Sequence, residues 1–397
     1  MNRYLVKIFR ELLFALVITL SVTSCSENSY DSAIATRKTI LVYMIANNSL
    51  SSYADENIDS MLVGMKSCNV GDNLLIYEEK VGEAARLLKM AKQSDGTVKR
   101  SVLKNYREQN SVSSTVMASV LSDMTEYSPS QSYGLVLWSH GYGWFPPNSR
   151  TKTIATRWFG QDGTNNMAIE DLKTALISGG LHWDSILFDA CFMGGVEIDY
   201  ALRNTADYII ASPSEVLGQG FPYQTILPFL FGKTEMDYTE VAKAYYRYYK
   251  DLPITVNTYP SATIGCIKCS ELEHLADVTR GLIAAHDAEI ACLDASNVQH
   301  LEGYNPHLFY DFGDFIHSFL SLDECTIFDT QLNKTVIYKA ATPRILSATS
   351  YSNNYITVKS FSGLNTYILQ KGLDADNIAY RNTEWYMAIS GIGMGTY

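Results

Sequence analysis

The segment Tyr133-Gly-Leu-Val-Leu-Trp-Ser-His140 is a short apolar run that ends in a polar, reactive side chain. A continuous apolar run of this length, bounded by polar residues, is typical of a β-strand buried on both faces. Four further runs share this character: Thr39–Ala46, Asn73–Tyr77, Asp184–Ala190 and Asp207–Ser212. Stretches with a helical period separate them, roughly at 51–66, 112–124, 168–178 and 195–203. This alternation predicts an α/β/α sandwich around a mostly parallel central sheet.

Beyond Pro222 the pattern changes to longer amphipathic helices mixed with strand-like pieces. The predicted helices are Tyr238–Tyr249, Glu271–Asp287 and Phe309–Leu320, and the predicted strands are Ala262–Ile267 and Tyr355–Phe361. The chain has 397 residues, of which 47% are hydrophobic, so it is long enough for a large core and a second subdomain. We therefore predict a main core over residues 38–250 and a C-terminal α/β subdomain over residues 251–397.

The first 25 residues have the layout of a secretory signal. Basic residues come first, and the apolar run Leu12–Leu20 follows them, which is shorter than the ~20 residues that span a membrane. Val22-Thr-Ser-Cys25 resembles a bacterial lipobox. We predict a lipoprotein signal peptide over 1–24, a lipidated Cys25 and a flexible tether over 25–37, which anchors the protein in the bacterial cell envelope, periplasmic or surface-exposed. The alternative is an ordinary signal cut nearby, with Cys25 incidental.

The charge and the cysteine count exclude several classes of protein. The formal net charge is -11, whereas nucleic-acid binding requires clustered Lys and Arg, so a protein or peptide partner fits better. Seven Cys are too few for a disulfide scaffold in a chain of this length. Cys266-Ile-Lys-Cys269 has no second pair that would complete a metal site, so we predict none.

Two strand ends carry reactive side chains, His140 and Cys191. A thiolate attacks a carbonyl, and an imidazole beside it takes and returns the proton, so the pair can form a nucleophilic dyad. The N–H of Gly141 can help to hold an oxyanion. A helix that opens after Gly194-Gly195 favours the thiolate of Cys191. The alternative is a buried structural Cys and an unrelated His.

The blocks Trp138-Ser-His-Gly-Tyr-Gly-Trp144 and Phe188-Asp-Ala-Cys-Phe-Met-Gly194 resemble the clostripain family of cysteine peptidases, in the caspase-like clan. The resemblance continues weakly through 212–220 and 362–367. It implies a caspase-like fold in which Cys191 is the nucleophile and His140 is the general base and acid. No cofactor is required. Clostripain is associated with calcium, and no motif here locates such a site.

The resemblance also implies a substrate site. It places Asp189 in the pocket for the residue before the cleaved bond (P1), with Ser212, Ser214 and Gln219 as further substrate-binding residues. A carboxylate there favours Arg or Lys at P1. The chain departs from some relatives at Gln219, where they have an acidic residue, which puts the basic preference in doubt. Asp189 could instead be a buried structural residue.

Basic residues in the loop 145–159 suggest a zymogen that cuts itself, with Arg150, Lys152 and Arg157 as the candidate sites. The resemblance therefore predicts a monomeric endopeptidase that cleaves proteins or peptides. The alternative is a catalytically inactive caspase-like surface lipoprotein that acts as a binding module. An α/β esterase is excluded, since no Gly-x-Ser-x-Gly elbow lies at a strand-to-helix turn.

Overall fold

The computed structural model describes residues 36–144, 158–255, 260–347 and 355–391. The strands are β1 (Lys38–Ala46), β2 (Asp72–Lys80), β3 (Arg86–Lys92), β4 (Val98–Asn105), β5 (Tyr133–Trp138), β6 (Phe159–Asp162), β7 (Asn165–Met167), β8 (Trp183–Asp189), β9 (Ala206–Ala211), β10 (Thr263–Lys268), β11 (Tyr310–Asp311), β12 (Val336–Ala341), β13 (Arg344–Leu346), β14 (Tyr355–Thr357) and β15 (Asn365–Thr366). The helices are α1 (Ser51–Met65), α2 (Ser114–Tyr127), α3 (Ile169–Ser178), α4 (Val196–Leu202), α5 (Tyr223–Leu230), α6 (Glu235–Lys250), α7 (Leu272–Ala285), α8 (Asp287–Ala291), α9 (Phe312–His317), α10 (Leu322–Thr335), α11 (Asp374–Arg381) and α12 (Glu384–Ser390).

Within the described ranges, nine strands form one sheet in the order β12-β10-β9-β8-β5-β1-β2-β3-β4. The five central strands, from β9 to β2, pair in parallel. The two strands beyond them on each side pair antiparallel. A parallel centre is buried on both faces, which is why its strands are continuous apolar runs in the sequence.

Two hydrophobic cores cover the two faces of the sheet. Successive side chains of a strand point to opposite faces, so that Leu41 and Tyr43 enter one core while Ile40 and Val42 enter the other. The first core contains apolar residues of α2, α3, α4 and α7, and the second contains those of α1, α5 and α6. The predicted α/β/α sandwich is therefore confirmed.

The C-terminal part extends the same sheet, because β10 pairs with β9 and β12 pairs with β10. From Thr36 onward the chain forms one compact unit. The predicted boundary at 250/251 falls at the end of α6 and stays a prediction. The helix predicted at Phe309–Leu320 is shorter, since the strand β11 precedes α9. No helix of the described ranges is both long and apolar enough to cross a membrane.

Candidate active site

The sheet brings His140 and Cys191 to one edge. The strands β5 and β8 are parallel neighbours, and Trp138 pairs with Asp189 in their register. Each reactive residue follows its strand's last pair by two positions, so both leave the sheet at its carboxyl edge, where parallel sheets place their sites. One cavity of about 270 Å³ is lined by both of them, together with Gly141, Asp189 and Glu215. The register of two adjacent strands thus assembles the predicted pair.

The His140 ring is held by a residue that sequence reasoning missed. Its Nε2 lies 2.9 Å from the Oγ of Ser49, in the turn between β1 and α1. Burial lowers the pKa of His140 below its usual range. The neutral imidazole is the form that can accept a proton. In the sequence, the only indication of this contact is that Ser49 follows a buried strand.

The Cys191 thiol is shielded by the segment that follows β9. Its Sγ accepts the N–H of Val216 at 3.3 Å and lies 3.6 Å from the Val216 carbonyl oxygen. Burial, together with the nearby charge of Glu215, raises the pKa of Cys191 to about 12. The expectation of a helix-stabilised thiolate is therefore wrong. The helix α4 begins at Val196, and a helix dipole acts only over about one turn.

Gly141 lies where the loop after β5, which carries His140, comes close to the loop after β8, which carries Cys191. A Cβ at this position would lie 2.6 Å from the carbonyl oxygen of Cys191 and 3.0 Å from the Cβ of Ala190. Any larger residue would push the His140 loop away from the Cys191 loop. Gly141 therefore keeps the two reactive groups together, and the role of its N–H in oxyanion binding stays a prediction.

Asp189 lies at the base of the cavity and is 4% exposed. Its Oδ2 accepts the N–H of Phe221 at 3.0 Å and the hydroxyl of Tyr223 at 2.7 Å. Burial raises the pKa of Asp189 to about 6, against the lowering effect of these two bonds. The carboxylate is oriented by its partners and is still able to ionise at neutral pH.

The other predicted substrate residues do not line this cavity. Ser212 and Ser214 are buried, and their hydroxyls lie 2.7 Å and 2.5 Å from the Oγ1 of Thr263 on β10. Their carbonyl oxygens accept the N–H groups of Gly194 and Phe192, both at 2.9 Å. The side chains thus fix the backbone that holds the Cys191 loop.

Gln219 lines a neighbouring cleft, and Gly220 belongs to both cavities. The substrate contacts predicted for the two serines and Gln219 stay predictions. The candidate cleavage sites Arg150, Lys152 and Arg157, and the candidate lipid site Cys25, lie outside the described residues.

The loop 300–310, which we call the support loop, packs behind the nucleophile. Phe309 stacks on Phe192 with ring centroids 4.7 Å apart and planes at 9°. Phe192 directly follows Cys191 and has a φ of 61°, which is rare for a residue with a side chain. The stack holds this unusual backbone in place.

A buried carboxylate holds the support loop. Glu302 accepts the N–H groups of Leu308 at 2.6 Å and Phe309 at 3.2 Å. Tyr304, whose N–H is also bound by Glu302, lines the catalytic cavity. These contacts join residues that are far apart in the sequence, so no local pattern could have predicted them.

No group of three or more His, Cys, Asp or Glu in the described ranges could hold a metal ion. Asp311 caps α9 by accepting the N–H of Asp314, and it also accepts the N–H of Ser362. A calcium site is therefore still not located in the described part of the chain, and a calcium requirement stays untested.

Solved structures of C11 proteases resemble this chain. An inactive zymogen C11 protease from Parabacteroides distasonis is 36% identical, with a TM-score of 0.78, over 89% of this chain and 99% of that chain. A secreted C11 cysteine protease from Bacteroides thetaiotaomicron, in complex with an irreversible peptide inhibitor, is 33% identical with the same coverage and TM-score. A clostripain from B. thetaiotaomicron ATCC 29148, in complex with the peptide inhibitor BTN-VLTK-AOMK, is 30% identical over 58% of this chain and 97% of that chain, with a TM-score of 0.50.

No curated protein matches the chain. The profile of the clostripain family matches residues 42–387. The structural matches confirm the expected caspase-like fold. The family match and the identity to solved C11 proteases lead to one conclusion: the chain is a cysteine protease that belongs to the clostripain family.

Proposed function

We propose that this cysteine protease is an endopeptidase that cuts after Arg or Lys, with Cys191 and His140 as its catalytic dyad. The observation that carries the proposal is the convergence of three side chains on one cavity: the thiol, the imidazole and the buried carboxylate of Asp189. The first two supply nucleophile and base, and the third supplies a negative charge for the substrate.

The two reactive groups are uncharged at rest, because the pKa of Cys191 is raised to about 12 and that of His140 is lowered. Proton transfer therefore accompanies attack. His140 takes the Sγ proton while sulfur bonds to the scissile carbonyl carbon, and the N–H of Gly141 donates to the oxyanion. The carbonyl then re-forms, the C–N bond breaks, and His140 returns the proton to the leaving amine. Water hydrolyses the thioester by the reverse transfers.

Asp189 supports a basic P1 residue. The buried carboxylate of Asp189 attracts a guanidinium or ammonium group that enters the cavity, because the pair is shielded from water, and Glu215 is a second acidic residue of the lining. One relative is bound to a peptide inhibitor whose sequence VLTK ends in lysine. A lysine at P1 of this chain's substrates would likewise carry the charge that complements Asp189.

Self-cleavage follows from the same preference. Arg150, Lys152 and Arg157 lie shortly after His140 in the sequence, and one relative is an inactive zymogen. We expect the uncut chain to mature by cleavage after one of these residues. Intact mass spectrometry of the wild type and of Cys191→Ala tests this, since only the wild type should be cut. An active wild type with an intact loop would contradict it.

The expected location is the bacterial cell envelope, where Cys25 anchors a monomer through a lipid. A relative is a secreted protease, which agrees with an enzyme that acts outside the cytoplasm. Cys25→Ala should move the protein from the membrane fraction to the soluble fraction, because the lipid is the expected anchor. Unchanged partitioning on fractionation would contradict the lipid anchor.

The decisive experiment for the dyad and the specificity is covalent labelling. A chloromethyl ketone with Arg or Lys at P1 should label the wild type at one thiol, and Cys191→Ala should remain unlabelled. A reagent with norleucine at P1 is the matched control, because it has similar length and no charge. Equal labelling by both reagents would overturn the basic preference while leaving Cys191 as the nucleophile.

A further inference from the structure

Asn57 lies on α1 and is 3% exposed. Its amide nitrogen donates to the carbonyl oxygens of Tyr53 at 2.9 Å and Gln219 at 3.3 Å. These two bonds assign the amide, so the orientation of the side chain is fixed. Its Oδ1 is buried and has no hydrogen-bond partner in the described part of the chain. A buried acceptor without a partner is costly and calls for an explanation.

The free oxygen of Asn57 lies beside the carboxylate of Asp189. A Cβ built on Gly220 would lie 2.6 Å from Asp189 Oδ2, 3.0 Å from Asn57 Oδ1 and 3.1 Å from Asp189 Oδ1. Three acceptor oxygens of two side chains therefore converge on the face of one residue that has no side chain. Asn57 lines the neighbouring cleft and Asp189 lines the catalytic cavity, and Gly220 is shared by the two.

Asp189 and Asn57 differ in how many hydrogen bonds their side-chain oxygens accept. Both side-chain hydrogen bonds that Asp189 accepts in the described part of the chain end on its Oδ2, from the N–H of Phe221 and the hydroxyl of Tyr223. Asn57 Oδ1 accepts none in the described residues. The base of the cavity is thus rich in acceptors and poor in donors. A ligand that completes it must bring several N–H donors and a positive charge, which describes a guanidinium group better than a single ammonium.

We infer that Asn57 is a specificity-determining residue of the P1 pocket, and that its Oδ1 accepts an N–H of a guanidinium group paired with Asp189. This inference rests on the proposed basic P1 preference. A second acceptor from α1 then supports the cation, without a second charge.

The test compares kcat/KM for three peptide substrates that differ only at P1, with Arg, Lys or norleucine. Asn57→Leu keeps the approximate size and removes the acceptor. We expect it to lower cleavage after Arg about 10- to 100-fold, the range for a hydrogen bond to a charged group. Cleavage after Lys should fall less, because an ammonium has fewer donors to share, and cleavage after norleucine should not fall.

Controls distinguish a specific loss of Arg recognition from a general loss of activity or of folding. Gln224→Leu alters the neighbouring cleft, which Gln224 lines, and should leave the Arg to norleucine ratio unchanged. Alkylation of Cys191 by iodoacetamide, which has no P1 side chain, should proceed at the wild-type rate in Asn57→Leu. If that variant does not fold, Asn57→Ala provides the same comparison, and agmatine, a guanidinium probe, should inhibit the wild type at least tenfold better than pentylamine.

The outcomes separate the inference from the function on which it rests. A wild type that prefers norleucine overturns the basic P1 preference and this inference with it. A wild type that prefers Arg, with an unchanged Arg to norleucine ratio in Asn57→Leu or Asn57→Ala, overturns the role of Asn57 alone. Equal loss on all three substrates also overturns it, because that pattern describes a structural residue.

Discussion

The catalytic cavity has two kinds of wall, and they are built by different means. On one side, His140, Cys191 and Asp189 sit at the ends of adjacent parallel strands, whose register fixes their spacing. On the other side, the support loop depends on the buried carboxylate of Glu302 and on one aromatic stack. Reactive groups thus stand on rigid elements, whereas the shape around them depends on a few long-range contacts.

The comparison predicts that the strand-end side carries the chemistry. Cys191→Ala should lower kcat/KM by roughly four to six orders of magnitude, as expected when a covalent nucleophile is lost. His140→Ala should have a comparable effect. The matched control is Cys292→Ala, which removes an exposed thiol and should retain full activity. Near-normal turnover of a peptide substrate by Cys191→Ala would assign the chemistry elsewhere.

Asp189 tests whether the strand-end side also selects the substrate. Asp189→Asn should lower kcat/KM for an Arg substrate. The expected loss corresponds to about 2–4 kcal/mol in transition-state free energy, the scale for losing one partner of a shielded charge pair. Burial raises the pKa of Asp189 to about 6, so the carboxyl becomes neutral below that pH. The Arg to norleucine ratio should therefore fall as the pH drops through about 6 in the wild type, and should not change in Asp189→Asn. A ratio independent of pH in the wild type would assign Asp189 a structural role.

Phe309 tests the opposite wall. Phe309→Ala removes the ring that stacks on Phe192, and we expect a loss of about 3–5 kcal/mol in the free energy of unfolding, as for other buried aromatic residues. The Cys191 loop would then be less well placed, so kcat should fall about tenfold with little change in KM. Phe309→Tyr keeps the ring and should recover most of kcat. Denaturant titration and steady-state kinetics measure the two effects, and loss of stability with unchanged kcat would show that the wall is only structural.

The smallest expected effect concerns Ser49. Its Oγ lies 2.9 Å from Nε2 of His140, so this hydrogen bond orients the imidazole ring. Ser49→Ala should lower kcat about threefold, the scale of one neutral hydrogen bond, and leave KM unchanged. Ser49→Thr retains the hydroxyl and should match the wild type. A change in KM instead of kcat would indicate a substrate contact.

The strand-end side was largely predictable and the opposite wall was not. The runs at β1, β5, β8 and β9 are visible because both faces of these strands are buried, which leaves unbroken apolar sequence. The strands β3 and β4 were missed because charged residues interrupt their apolar residues near the edge of the sheet, which leaves no continuous apolar run. The Phe309–Phe192 stack joins positions more than a hundred residues apart, and no local pattern carries such a contact.

The surroundings of the site residues were harder to predict from the sequence than the residues themselves. Cys191 and His140 follow from their positions at strand ends, yet the raised pKa of the thiol depends on burial and on Glu215, which only the folded chain reveals. The packing of Ser212 and Ser214 against Thr263 likewise depends on β10, which is distant in sequence. The sequence alone shows which reactive residues are present and where they lie along the chain. Their burial and their contacts depend on the tertiary structure.

The sheet ends at β4, and its composition has a consequence for how the protein behaves at high concentration. An edge strand leaves backbone N–H and C=O groups open to pairing with another molecule. Lys99 and Arg100 lie on this edge strand. Two such edges would bring like charges together, so self-association through β4 is electrostatically disfavoured, and crowded solutions of the protein are protected from ordered aggregation along that side.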